Sequence, residues 1–98
     1  MIQTQILEIE KGTAVTADHK NMKCYDMVIE LSNSNMYAHN IRLAVSQSLQ
    51  KVSSMLHAQT LLTDKNGFEG AVKAAVNQII ESDKTECVKF HIGRMEAN

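Results

Sequence analysis

Apolar and polar residues alternate in steps of two near both ends of the chain and recur every three to four residues in between. The first pattern marks strands with one covered face; the second marks helices with one buried stripe. Residues 4–10 predict a first strand, with Leu7 and Ile9 on one face and Thr4 and Ile6 on the other. Thr13 to Ala17 extends or bulges it, and Asp18-His19-Lys20-Asn21 is a polar turn. Residues 22–31 give the clearest strand, with Tyr25, Met27, Ile29 and Leu31 on an apolar face and Cys24, Asp26, Val28 and Glu30 on the other. Residues 86–94 predict a last strand, with Val88, Phe90 and Ile92 inward and Cys87, Lys89 and His91 outward.

Between these strands Ser32-Asn33-Ser34-Asn35 supplies oxygen-bearing side chains suited to capping a helix start. The helix is expected to run to about Leu62 on a stripe of Ala38, Ile41, Val45, Leu49, Val52 and Leu56, a length above the average that leaves room for a break or an oligomeric role. Thr63 to Gly67 is a turn, with Asn66 and Glu69 spaced as a capping box. A second helix over about 68–81 buries Phe68, Val72, Ala75, Val76 and Ile79, and its small residues Gly70, Ala71, Ala74 and Ala75 allow close helix approach.

The order is β-β-α-α-β. One-sided strands need a cover and two amphipathic helices supply it, so the expected fold is an α+β two-layer sandwich. A three-stranded sheet is covered on one face by a helical hairpin, and residues 1–98 form a single domain. The open sheet face and the sheet edges favour pairing with a second copy.

Composition narrows the picture. Apolar residues make up 44% of the 98 residues and the net charge is -1. That suits a packed core, not a disordered tail, and argues against a strongly electrostatic polyanion binder. Two cysteines are too few for a disulfide scaffold, and neither a signal peptide nor a membrane span is evident. The expected setting is cytoplasmic.

No pattern of catalysis, metal binding or cofactor binding emerges. Cys87 and His91 lie four residues apart on one strand, roughly 13 Å, too far to share a metal. Cys24 comes near Cys87 only if their strands pair. Glu8, Glu10, Asp26 and Glu30 alternate outward into water. Asp64-Lys65-Asn66-Gly67 opens like a calcium loop, but the twelfth position, which needs a bidentate glutamate, is Ala75. No phosphate-binding loop or dinucleotide fingerprint occurs.

The stretch from Leu31 to Thr63 contains no acidic residue. An ordinary solvated helix mixes both signs of charge. At 100° per residue His39, Arg42, Ser46, Gln50, Ser53 and His57 share one stripe, with Met36, Leu43 and Leu61 just beyond it and Lys51 further round. A polar face of this kind can simply meet water; its apolar neighbours make it a candidate contact surface. The expected function is therefore a non-enzymatic protein-binding module of small adaptor or inhibitor type, a profile that phage-encoded proteins also fit. It acts as a homodimer through the long helix or a sheet edge. His39, Arg42, Leu43, Ser46, Gln50, Ser53 and His57 are the contact residues; no cofactor is expected.

Gly67-Phe68-Glu69-Gly70 fits a GxxG pattern between two helices, and with the element order it resembles the bacterial type of KH domain. In that family the GxxG loop clamps a nucleic-acid backbone. The resemblance implies an alternative function, single-stranded nucleic-acid binding through Arg42, Lys51, Lys65, Gly67, Gly70 and Lys73. The family's loop usually carries cations, where this chain has Phe68 and Glu69.

Overall fold

A computed structural model describes residues 3–98. Its elements are β1 (Thr4–Val15), β2 (Asn21–Ser32), α1 (Ala38–Ser53), α2 (Ala58–Thr63), α3 (Lys65–Ile80), a short 3-10 turn (Glu81–Asp83) and β3 (Glu86–Ala97). The strands form one antiparallel sheet in the order β1-β2-β3, so β1 and β3 are both edges. The helices cover one face, giving the expected α+β sandwich. α1 packs beside β1 and α3 beside β3, with one core between the layers. Among the described residues no helix is long and apolar enough to cross a membrane.

The expected long helix is broken. After Ser53 the backbone tightens, with the Met55 and Leu56 N–H groups donating to the Val52 and Ser53 carbonyls, and His57 is extended at ψ 150°. The cause lies far away in sequence. The tip of the β1–β2 hairpin docks here: Ala17 N–H donates to Leu56 O (2.8 Å), and the Asp18 carboxylate accepts from Ala58 N–H (3.0 Å), capping α2. The Thr16 hydroxyl and the Ala58 N–H hold the Asp18 carboxyl below the usual carboxylate range.

Other local expectations are corrected as well. The N-cap of α1 is Tyr37, without a side-chain bond. Ser34, one of the expected caps, instead donates to Gln5 Oε1 (2.6 Å). α3 is capped by Asp64, which accepts from Gly67 N–H, and not by Asn66 with Glu69. Ile80 is buried where Ile79 was expected, because Ile79 lies 41% exposed. Gly70 faces open space and eases no helix contact.

The strands reverse their facing at one level. Inward positions are Leu7 and Ile9, then Gly12 and Ala14; Met22 and Cys24, then Met27, Ile29 and Leu31; Phe90 and Ile92, then Met95 and Ala97. In β2 the offset falls at Asp26, whose φ is +54°, a left-handed value rare in a strand. Gly93 passes close beside it: a Cβ there would stand 2.9 Å from Asp26 Cβ and 3.1 Å from Asp26 O. Tyr25 is therefore on the open face, donating its hydroxyl to Glu96 (2.9 Å) with the Arg94 guanidinium 4.2 Å from its ring centre, and Cys24 is in the core. A second irregularity at Glu30/Leu31 shifts the β3 register, so Cys87 turns inward and Val88 outward, opposite to expectation.

Candidate protein-binding surface

The buried side of α1 carries Ile41, Ala44, Val45, Ser48, Leu49, Val52 and Ser53. Ser53 was expected on the contact stripe; it is fully enclosed at the last residue of α1, and its hydroxyl has no hydrogen-bond partner among the described residues. Leu61 is likewise buried, on α2. His39, Arg42 and Ser46 are exposed, with Leu43 half exposed beside them; His57 is exposed but sits at the break, at the start of α2.

The surviving stripe runs along the free edge of β1. Gln50 reaches across to that edge: its Oε1 accepts from Val15 N–H (3.0 Å) and its Nε2 donates to Val15 O (3.2 Å). The side-chain amide stands where a peptide group of a fourth strand would stand. Further along, a cleft of about 370 Å³ opens between α1 and β1. Ile9, Met27, Val45 and Leu49 give it apolar walls, while Arg42, Ser46 and the Lys11–Thr13 segment complete the lining. No acidic residue lines it. The Lys11 ammonium is directed to the open face, 5.9 Å from the Tyr25 ring centre, leaving Arg42 as the charge of the cleft.

Two further depressions exist. One, about 210 Å³, lies between α1 and α3 against Met36, Leu43 and Ile79. The other, about 420 Å³, lies on the open sheet face among Ile6, Val28, Glu30, Lys89 and His91.

The β3 edge is built differently. Asn77 on α3 accepts from Cys87 N–H (2.7 Å) and donates to Cys87 O (3.2 Å). Glu69 accepts from Ile92 N–H (2.6 Å) and sits 3.1 Å from His91 Nδ1. Glu69, expected as a capping-box partner, is thus spent on the sheet.

The residues of the nucleic-acid alternative fall on separate elements. Gly67 and Gly70 belong to the first turns of α3, and neither has a positive φ. Phe68 between them is buried, so the GxxG segment is helix and not a projecting loop. Lys65 and Lys73 lie on the same helix, and Lys51 donates to Gln78 Oε1 (3.1 Å). Arg42 stands apart at the cleft.

The cysteines are separated: Cys24 pairs across the sheet with Met95 and Cys87 with Leu31. Burial pushes the Cys24 thiol up to about 11 and raises Cys87 too, so both are protonated and weakly nucleophilic near neutrality. Among the described residues no three His, Cys, Asp or Glu side chains gather as metal ligands.

Sequence spacing brought out Arg42, Ser46 and Gln50 but missed Asp18, Glu69 and Asn77. These bond to backbone groups far along the chain, and nothing in local periodicity signals such partners. No protein-family profile matches the chain, and no curated protein matches it.

Proposed function

We propose that this chain is a non-enzymatic protein-binding module of adaptor or inhibitor type whose contact surface is the acid-free side of α1. The observation that supports the reading most is the half-exposed Leu43 on that side, flanked by Arg42 and His39 and bordering the Met36–Ile79 depression. Arg42 and His39 on the α1 side of this apolar anchor suit a partner that presents an apolar residue beside an acidic one, while Asp83 closes the far side of the depression. A homodimer seamed along this side would set Arg42 and His39 against their own copies, which disfavours it. Self-association belongs instead to the open sheet face, where Ile6 at 61% exposure lies beside Glu30 and Lys89. Mixed charges of that kind complement a second copy under two-fold symmetry.

The test immobilises the wild-type chain beside Leu43→Asp and Arg42→Glu and exposes all three to lysate of the source organism. A protein retained at near-stoichiometric level by wild type and lost from both variants supports the reading. Equal recovery on all three, or none on wild type, refutes it. Light scattering of wild type and Ile6→Asp reads the dimer separately: the expected mass is about twice 10.9 kDa for wild type and near that value for the variant.

A further inference from the structure

The helix stripe and the sheet edge, two separate candidates in the sequence, form one continuous surface. β1 has a neighbour on one side only. In a strand alternate residues direct N–H and C=O to opposite sides, so half of the β1 backbone groups face outward. Among the described residues, Val15 is the one β1 residue whose outward groups are bonded, and Gln50 is its partner. The register with β2 is unbroken from Gly12 to Val15, so Thr13, two residues back, directs its N–H and C=O the same way. Beside this open stretch lies the 370 Å³ cleft with its apolar walls and Arg42.

We infer that the open edge of β1 takes an extended peptide segment of a partner protein as a fourth strand. This rests on the protein-binding reading above and gives it a mode. Main-chain bonds to β1 supply affinity, and pockets for alternate side chains supply specificity. An apolar side chain of the added strand enters the cleft against Ile9, Met27, Val45 and Leu49. An acidic side chain two residues away, and so on the same face of the strand, pairs with Arg42, the charged group of the cleft lining. Gln50 marks where the added strand stops, since its amide already occupies the position at Val15. The occupant is a heterologous acidic strand and not a second copy. Two-fold pairing of β1 with its own copy would bring the two acid-free α1 stripes face to face, cation against cation.

The probe is a synthetic ten-residue peptide with threonine at every second position and valine and glutamate taking turns at the positions between, so that both project from one face; it is blocked at both ends, titrated into the isotopically labelled full chain and followed by amide chemical shifts. Of two comparison peptides, one carries lysine in place of each glutamate, and the other keeps the sequence but is N-methylated on alternate residues. The expected result is saturable binding with shifts concentrated at residues 9–13 and 42–50. N-methylation or Arg42→Glu should weaken it roughly tenfold or more, and the lysine peptide should not bind. Thr13→Pro, which removes an outward N–H without touching the bonds to β2, should weaken it as well. Thr13→Val preserves that N–H and should weaken binding less than Thr13→Pro does.

Equal affinity for the N-methylated and unmethylated peptides overturns strand addition, as does absence of saturation at millimolar peptide. Shifts confined to Met36, Leu43 and Ile79 overturn it too, while leaving the protein-binding reading standing. If Leu43→Asp and Arg42→Glu still release a captured protein when Thr13→Pro does not, the module reading survives and the strand is wrong. A peptide-free β1–β1 dimer, seen as doubled mass abolished by Thr13→Pro, overturns the choice of occupant.

Discussion

The two edges of the sheet solve the same problem in opposite ways. A sheet edge exposes a row of unpaired backbone groups and invites another strand. Along β3, the α3 side chains Asn77 and Glu69 reach down and occupy that row at Cys87 and Ile92. Along β1, α1 offers only Gln50, at Val15, and then stands off from the strand to leave a cleft. Asn77 and Gln50 each use a carboxamide as a surrogate peptide, so the devices are chemically alike; their extent differs. The lesson is that an edge is closed by chosen side chains on the covering helix and not by the presence of a helix.

The comparison is broken most strongly on the β3 side. Replacing Asn77 and Glu69 together by alanine leaves partly buried N–H groups of Cys87 and Ile92 without acceptors, and should cost about 2–5 kcal/mol in urea unfolding. Each single change should cost about 1–3 kcal/mol. Gly93→Ala on the same edge should cost about 1–3 kcal/mol, since the new methyl meets backbone of Tyr25 and Asp26. Gly12→Ala on the β1 edge meets only the ends of the Leu49 and Met27 side chains, which can move, so it should cost less. Gln50→Ala should cost about 0.5–1 kcal/mol, because its bonds to Val15 are solvent-exposed. Finding Gln50→Ala as costly as the Asn77 and Glu69 pair would erase the distinction.

The smallest effect is pH-dependent and touches the hairpin tip that ends α1 beside the open edge. Asp18 has a folded-state pKa below its unfolded one, so it contributes stability above the ordinary carboxylate range and loses it as pH falls through the lowered value. Asp18→Asn keeps an acceptor for Ala58 N–H but removes the titration. Urea midpoints measured from neutral to acid pH should converge between the two proteins as the carboxyl protonates. A constant gap across that range would show that Asp18 does not carry the effect.

Much of the architecture was readable in advance, because alternation and three-to-four spacing report which side of an element is buried. That reasoning placed all three strands, the order of elements and the core residues Ile41, Val45, Leu49, Phe68 and Val72. It failed where a distant contact overrode the local pattern. Ser54 to His57 reads as helix until the hairpin tip docks on it. Tyr25 and Cys24 exchange faces because Asp26 takes a left-handed turn inside β2, and parity counting assumes an unbroken pleat. The exposure of the polar stripe was legible as far as Ser46; Ser53 is enclosed at the end of α1, and Gln50 serves the chain's own sheet. An open sheet edge was foreseen, but which strand forms it beside the stripe was not legible, since strand order is not written in any one segment.

Amide hydrogen exchange at the outward-facing backbone groups addresses the contrast most directly. The account predicts that the Cys87 and Ile92 amides, held by Asn77 and Glu69, exchange at least roughly a hundredfold more slowly than the Thr13 amide, with Val15 between them. A Thr13 amide as slow as those of Cys87 and Ile92 would mean that the β1 edge is closed after all.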